Sequence, residues 1–213
     1  MSLPPYPLQL PPGSGTSERA IDLVFAISGS RLPLDHALSL WEALLGHLPW
    51  LAEEPEVGVH AMRGSVCDVE LLLSRRTRLV LRLPMRRLDD AMRLVGQALE
   101  VGGERVSIGE ARPRMLEPFP TLSAHFVATG SDDALAHQQA VEAMLAELGM
   151  PPRFICGRMH TVSVGGARLV GAEVVLHELR PEHSLAMQER GLGGERHLGH
   201  GLFLPHKTIR DID

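Results

Sequence analysis

The part of this sequence best suited to chemistry is a glycine-rich stretch near the C-terminus, residues 191–203, called here the glycine segment. Five glycines lie between residues 191 and 201, with Arg196, His197 and His200 among them. Because glycine has no Cβ, its backbone N–H groups can approach phosphate oxygens closely. The segment lacks the Gly-Lys-Ser/Thr of a Walker loop, and it follows a predicted helix, unlike a dinucleotide fingerprint. By composition alone, it is most typical of a flexible connection between a helix and a strand.

Histidines in and after the glycine segment raise the question of a metal site. His197, His200 and His206 are close in sequence. No cysteine lies near them, however, and a glycine-rich backbone would not hold them in the fixed tetrahedral geometry that zinc requires. We therefore expect neither a metal ion nor another cofactor.

Arginines form a second group of candidate residues. Six of them fall between residues 75 and 87, on a predicted hairpin turn and the start of the next helix: Arg75, Arg76, Arg78, Arg82, Arg86 and Arg87. The planar guanidinium group suits phosphate recognition. A solvated sheet edge that discourages strand association is the alternative. Since the net charge is −5, any surface that binds nucleic acid has to be a local basic patch.

Composition also bears on location. The two cysteines, Cys67 and Cys156, are far apart and lack metal-type spacing, which is typical of a cytoplasmic protein with free thiols. No stretch approaches the ~18 continuous apolar residues of a membrane helix. Residues 1–17 are rich in proline and lack the features of a signal peptide, so we expect a flexible leader there.

The first half of the chain predicts a β-α-β-β-α-β order. Alternating apolar residues indicate strands, and apolar residues at helical spacing, such as Leu34, Leu38, Trp41, Leu45 and Leu48, indicate a helix. The predicted strands are residues 19–27, 66–73, 77–83 and 106–108. The predicted helices are residues 33–48, opened by Pro33, and 85–99.

The second half predicts the same order. Its strands are expected at residues 122–128, 158–164, 168–179 and 202–204, and its helices at 131–149 and 181–190. The fold class is therefore α+β, with two tandem ferredoxin-like units followed by a short tail. The expected limits are 18–112 and 118–206 for the units and 207–213 for the tail. Only five Phe, one Tyr and two Trp occur, and no strand carries the aromatic signature of an RRM.

Particular motifs resemble one family. Residues 182–205, in which the glycine segment lies between the last helix and the last strand, are similar to the CRISPR repeat endoribonucleases of the RAMP superfamily, especially the Myxan-type branch. Residues 32–36 (Leu-Pro-Leu-Asp-His), 57–60 (Val-Gly-Val-His) and 74–84 share the likeness. It spans about residues 20–205. The resemblance implies a nuclease that cuts precursor CRISPR RNA within each repeat without a metal ion. It also implies that the mature RNA can stay bound in a complex with other CRISPR-associated subunits.

Metal-free RNA cleavage requires a group that takes the proton of the ribose 2′-OH, and histidine can do so at neutral pH. Many members of the family carry the catalytic histidine within or just after the first helix, but residues 50–54 contain none. We therefore expect His36 to be catalytic, since the first turn of a helix favours a phosphate, and we place His60 second. A non-catalytic subunit that only binds repeat RNA is the alternative.

The arginines and the glycine segment are the groups that we expect to bind precursor and mature repeat RNA, because guanidinium groups and glycine backbone can both approach phosphates. The residues concerned lie in the arginine cluster and the glycine segment: Arg75, Arg76, Arg78, Arg82, Arg86, Gly191, Gly193, Gly194, Arg196, His197, Gly199 and Gly201.

Overall fold

A five-stranded antiparallel sheet is the centre of the first half of the chain. The computed structural model describes residues 19–164 and 166–206, so the expected leader (1–17) and tail (207–213) lie outside the described residues. The elements of this half are β1 (Ala20–Ser28), β2 (Arg31–Pro33), α1 (Ala37–His47), β3 (Gly58–Val59), β4 (Ser65–Cys67), β5 (Glu70–Leu72), β6 (Arg78–Pro84), α2 (Leu88–Met92), β7 (Ala98–Val101) and β8 (Glu104–Met115). The sheet order is β3-β6-β1-β8-β7. The predicted strands 19–27 and 77–83 are confirmed as β1 and β6.

The predicted strand at residues 66–73 is wrong. The chain reverses there, and β4 and β5 pair in a hairpin that joins β2 in a separate three-stranded sheet. Asp68 makes the turn possible with a φ of 52°, a left-handed conformation that aspartate tolerates better than most residues. Val66 and Val69 are apolar and were therefore expected in the core, but both side chains are exposed.

Both predicted helices of the first half begin or end differently from the prediction. Pro33 belongs to β2, where it lies opposite Glu70, and α1 begins only at Ala37. The helix buries Leu40 and Leu44 and leaves the predicted core residue Leu34 exposed. The second helix is five residues long. Residues 98–101 form β7 instead, because the two glycines at 102 and 103 both take positive φ, 59° and 85°, and turn the chain into a hairpin with β8.

The second half contains β9 (Leu122–Ala128), α3 (Ala134–Glu147), β10 (Phe154–Cys156), β11 (His160–Val164), β12 (Ala167–Leu176), α4 (Pro181–Arg190) and β13 (Leu204–Pro205). The prediction is confirmed for β9 and α4. Helix α3 begins after Asp133, whose side chain accepts a hydrogen bond from the Ala136 N–H, rather than at Ser131. Strand β10 was not predicted, because its three residues are too few to show an alternating pattern.

The second sheet has the order β10-β12-β9-β13, with β11 also paired to β12. Strand β8 continues to Met115, which lies opposite Ile21, so the first half extends three residues past the predicted limit of 112. None of the helices in the described ranges combines the length and apolar character that a membrane crossing demands.

A buried arginine joins the two halves. Arg82 points away from the core face of β6, yet only 1% of it is exposed. Its Nε and Nη2 donate to the Asp22 carboxylate at 2.8 and 3.2 Å, while Nη1 donates to the carbonyl oxygens of Gln188 and Phe203, each at 2.9 Å. Asp22 belongs to the first half, whereas Gln188 and Phe203 belong to the second. One guanidinium group therefore connects both.

Asp22 is ionised in this environment. Burial by itself would raise the pKa of its carboxyl group, but the contacts with His60 and Arg82 outweigh burial and hold that pKa well below its ordinary value. Arg114 also donates to the Asp22 carboxylate at 2.9 Å. The buried guanidinium group of Arg82 therefore has a full counter-charge at neutral pH.

We expect Asp22→Asn to lower the free energy of unfolding by about 3–5 kcal/mol, because Arg82 would remain buried without its counter-charge. Urea denaturation at pH 7 measures this. The pKa of Asp22 is depressed in the folded protein, so its contribution is present above the unfolded pKa of about 3.9 and disappears as the pH falls below it. The difference between wild type and variant should therefore shrink in acid.

The matched control for this prediction is Glu110→Gln. Glu110 pairs with Arg112 at 3.7 Å, and both side chains are 85% exposed. Such a pair contributes little, so we expect a change below about 0.5 kcal/mol. Equal losses in the two variants would contradict the role of the buried pair.

Candidate functional site

The glycine segment follows α4 and lies between the two halves. Gly199 has a φ of 87°, and a Cβ at this position would lie 3.0 Å from the carbonyl oxygen of Val59 and 3.2 Å from the nitrogen of Ala61. A side chain there would therefore push the segment away from β3. At Gly201 a Cβ would lie 2.1 Å from the Leu192 carbonyl oxygen. These glycines allow the segment to pack closely against the first half and against itself.

This packing divides the glycines that we expected to bind RNA. Gly191, Gly199 and Gly201 are buried, whereas Gly193 and Gly194 are half-buried. A Cβ at Gly194 would meet nothing within 4 Å. A ligand could therefore approach the half-buried backbone at Gly193 and Gly194. Close packing constrains Gly193 as well as the three buried glycines, since a Cβ there would lie 3.0 Å from the Ala128 carbonyl oxygen.

Arg196 is a buried cation without a partner. It is 8% exposed, and within the described part of the chain Nε, Nη1 and Nη2 all lack a hydrogen-bond partner. Burial, followed by the charge of Arg82, lowers the pKa of Arg196 to about 10, although Glu56 opposes the shift. The guanidinium group stays charged at neutral pH. Because an uncompensated buried charge is strongly destabilising, this residue favours the approach of an anion.

His197 is the half-buried histidine of the segment and faces α1. Its Nε2 lies 3.4 Å from a carboxylate oxygen of Glu195. Its ring centroid is 5.0 Å from the Trp41 ring, and the two planes are tilted by 49°. This contact connects the second half to the outer side of the first helix.

A group of histidines that we did not predict surrounds Phe126 on the second sheet. The Phe126 centroid lies 4.6 Å from that of His200 and 5.1 Å from that of His160, and His125 is 5.8 Å from His200. Burial and the neighbouring histidines lower the pKa of His200 to about 4, so this ring is neutral at pH 7. Across the described ranges, no three His, Cys, Asp or Glu side chains are arranged to hold a metal ion.

The two histidines expected to be catalytic lie in different surroundings. His36 is the N-cap residue of α1 and is 9% exposed, with Nδ1 2.8 Å from the Pro33 carbonyl oxygen. His60 is 8% exposed, and its Nε2 lies 3.3 Å from an Asp22 oxygen, outside hydrogen-bond geometry. Burial lowers the pKa of His60, although the Asp22 carboxylate raises it. His60 is therefore neutral and belongs to the buried group around Arg82.

The arginine cluster contains both exposed and buried members. Arg75, Arg76 and Arg78 are exposed at the turn before β6, and Arg78 Nη1 donates to the carbonyl oxygens of Arg75 and Thr77. Arg86 donates to Glu54 at 2.7 Å. Arg82 corrects the expectation that it binds RNA: its guanidinium group is buried, and each of its three nitrogens donates a hydrogen bond within the protein. Its position on the polar side of β6 predicted exposure, but the second half covers that side.

Comparisons with known proteins agree with this architecture. The sequence model of the family described as Cas6 Crispr matches residues 21–208. The CRISPR-associated endonuclease Cas6 of Myxococcus xanthus (strain DK1622) is 40% identical over 186 residues, which cover 87% of this chain and 81% of the relative.

Two solved structures share the fold. A CRISPR associated protein Cas6 matches with a TM-score of 0.63 and 9% sequence identity. The match covers 88% of this chain and 100% of the other chain. The CRISPR endoribonuclease Cse3 bound to a 19 nt RNA matches with a TM-score of 0.50 and 12% sequence identity. This match covers 87% of this chain and 98% of the other chain. The resemblance inferred from the sequence is confirmed: the chain belongs to the Cas6 family.

Proposed function

We propose that this protein binds the repeat RNA of CRISPR transcripts and cleaves it without a metal ion, with the ribose 2′-OH as nucleophile. Membership of a family with a named endonuclease supports the activity. The observation that carries the assignment to RNA is Arg196, a charged group held between the two halves whose guanidinium nitrogens find no hydrogen-bond partner among the described residues. A phosphate would provide the missing partner, with charge-assisted hydrogen bonds.

The proposed reaction needs one proton acceptor near the scissile phosphate. The 2′-oxygen forms a bond to phosphorus, the bond from phosphorus to the 5′-oxygen breaks, and the leaving oxygen takes up a proton. The products are a 2′,3′-cyclic phosphate and a 5′-OH. The Pro33 carbonyl can only accept, so its contact with His36 Nδ1 favours the tautomer that carries hydrogen on Nδ1. Nε2 is then the acceptor, as a general base requires. His60 is the second candidate.

The proposed RNA contacts are those candidate residues whose side chain or backbone is at least partly exposed. Phosphates would bind the exposed turn at Arg75, Arg76 and Arg78, and Arg86 beyond the other end of β6. They would also approach the backbone at Gly193 and Gly194. We also propose that the mature RNA stays bound and that other CRISPR-associated subunits join the complex.

We interpret each half as a ferredoxin-like unit. In each β-α-β-β-α-β path, the sheet places the strands in the order second, third, first, fourth: β3-β6-β1-β8 in the first half and β10-β12-β9-β13 in the second. This shared order supports the tandem arrangement.

A second candidate function is a subunit that binds repeat RNA without cutting it. One observation favours it: both expected catalytic histidines are buried, with His36 9% and His60 8% exposed, and His60 is enclosed with Asp22 between the halves. The cleavage experiment separates the two functions.

We expect the purified protein to cut repeat RNA in the presence of EDTA, and a 2′-deoxy nucleotide on the 5′ side of the cut to block the reaction. His36→Ala should reduce the single-turnover rate by roughly 10²–10⁴-fold and leave RNA affinity unchanged. His177→Ala, which removes a half-exposed histidine beside Glu178, should leave the rate unchanged.

Other outcomes of this experiment have definite meanings. Loss of cleavage in a folded His60→Ala variant, but not in His36→Ala, would transfer the catalytic role to His60. Tight binding without cleavage under every condition would contradict the nuclease and favour the binding subunit.

We expect Arg196→Met to change stability and RNA binding in opposite directions. Replacing an unpaired buried charge with an apolar side chain of similar length should raise the free energy of unfolding by about 1–4 kcal/mol. Loss of the phosphate contact should weaken repeat RNA binding by roughly 10–100-fold. Denaturation and equilibrium binding measure the two effects.

Arg190→Met is the control for Arg196→Met. Arg190 is exposed and lies in the last turn of α4, the helix that leads into the glycine segment. It removes one positive charge nearby and should change both quantities only slightly. If Arg196→Met destabilised the protein and left RNA affinity intact, Arg196 would serve the fold instead of the ligand.

A further inference from the structure

His197 is a histidine of the glycine segment that remains accessible. His36 and His60 are both buried, whereas 35% of the His197 side chain is exposed. The ring borders a groove of about 300 Å³ between the glycine segment and the first half, which Trp41 and Val57 also line. A bound RNA could therefore reach this ring without a change in the fold.

Glu195 lies beside one nitrogen of the His197 ring. A carboxylate oxygen of Glu195 is 3.4 Å from Nε2. The backbone of Glu195 has a φ of 63°, a left-handed conformation that is strained for a residue with a Cβ. Its carbonyl oxygen accepts from the N–H groups of Leu198 and His200, and these bonds maintain the turn. The turn thus keeps the carboxylate and the imidazole next to each other.

This arrangement suits proton donation from the second ring nitrogen, Nδ1. A carboxylate beside Nε2 stabilises the imidazolium form and orients the ring. Burial lowers the pKa of His197, and the Glu195 carboxylate opposes that shift. Among the described residues, none forms a hydrogen bond with Nδ1. This nitrogen is therefore available to a ligand.

The proposed phosphate site is next to this pair. Arg196 directly precedes His197 in the chain. Both side chains border the same stretch of the first half, since the charge of Glu56 acts on Arg196 and Val57 lines the groove with His197. A phosphate held by Arg196 would bring its bridging oxygens within reach of the ring, and its negative charge would favour the imidazolium form.

We propose that His197 is a further catalytic residue, which donates a proton from Nδ1 to the 5′-oxygen that leaves phosphorus. The inference rests on the proposed cleavage, in which His36 takes the proton of the 2′-OH. As the 2′-oxygen bonds to phosphorus, the bond to the 5′-oxygen breaks, the leaving oxygen gains the proton, and the His197 ring becomes neutral. The ring regains a proton from water before the next cut. Glu195 is a positioning residue that acts through His197.

The test compares two repeat RNAs that differ at one atom. In the second RNA, sulfur replaces the 5′-bridging oxygen at the cut, and it can leave as a thiolate without a proton because thiols are much stronger acids than alcohols. Single-turnover rates are measured with saturating protein. His197→Ala should cut the ordinary RNA roughly 10²–10⁴-fold more slowly than wild type, and should cut the sulfur RNA at close to the wild-type rate.

Three further variants separate proton donation from loss of packing. His36→Ala should keep its defect with the sulfur RNA, because the 2′-OH proton still has to be removed. Glu195→Gln should lose part of the rate with ordinary RNA, and sulfur should restore it. His197→Gln keeps a polar side chain that cannot donate a proton as an acid, so it should repeat the result of His197→Ala if the alanine variant folds poorly.

Failure of the inference and failure of the proposed function give different results. If the two His197 variants are slowed equally with both RNAs, or cut ordinary RNA as fast as wild type, His197 is not the proton donor. If wild-type protein cuts neither RNA in EDTA, the proposed cleavage itself is wrong.

Discussion

The buried pair of Arg82 and Asp22 determines how the two halves of this protein meet. Arg82 donates to the carbonyl oxygens of Gln188 and Phe203. Gln188 lies in α4 just before the glycine segment, and Phe203 is the last residue of the segment. The ends of the segment are therefore fixed relative to the first sheet by one side chain. The pair is desolvated, so removal of either partner would leave a charge in the interface.

Fixing the ends in this way sets the conformation of what lies between them. The segment has to turn several times in a short distance, and Gly191, Gly193, Gly199 and Gly201 all take positive φ. Its tight packing encloses Arg196, for which the described residues supply no hydrogen-bond partner, and places His197 against Trp41. A protein that tolerates an unpaired buried charge gives up stability, and residues kept at such a cost are often those that function requires.

The sequence predicted some features well and others poorly, for physical reasons. Strand β9 and helix α4 were predicted correctly because each has a clear local pattern and a clear end, as with Pro181 at the start of α4. The alternation of apolar residues along β6 also predicted this strand. It could not show that the polar side of β6 is covered by the second half, so Arg82 was taken for an exposed residue.

The histidines around Phe126 illustrate the same limit. His125 of β9 and His160 of β11 are brought into one region because β12 pairs with both strands. His200 reaches them from the glycine segment, where the Gly201 N–H donates to the Phe126 carbonyl oxygen at 2.8 Å. Gly171 of β12 leaves room for the Phe126 ring, since a Cβ there would lie 2.9 Å from it. Strand order depends on contacts between distant parts of the chain, so the spacing of histidines in the sequence cannot predict it. The family resemblance could be found because it depends on short local motifs.

Amide hydrogen exchange with and without repeat RNA tests most directly whether RNA binds at the glycine segment. RNA should slow exchange at residues 193–197 and in the neighbouring part of α1. Exchange in β1 and β6 around the Asp22–Arg82 pair should be slow in both states, because this interface is already closed. Protection confined to the turn at Arg75 and Arg76, with no change in the glycine segment, would contradict this account.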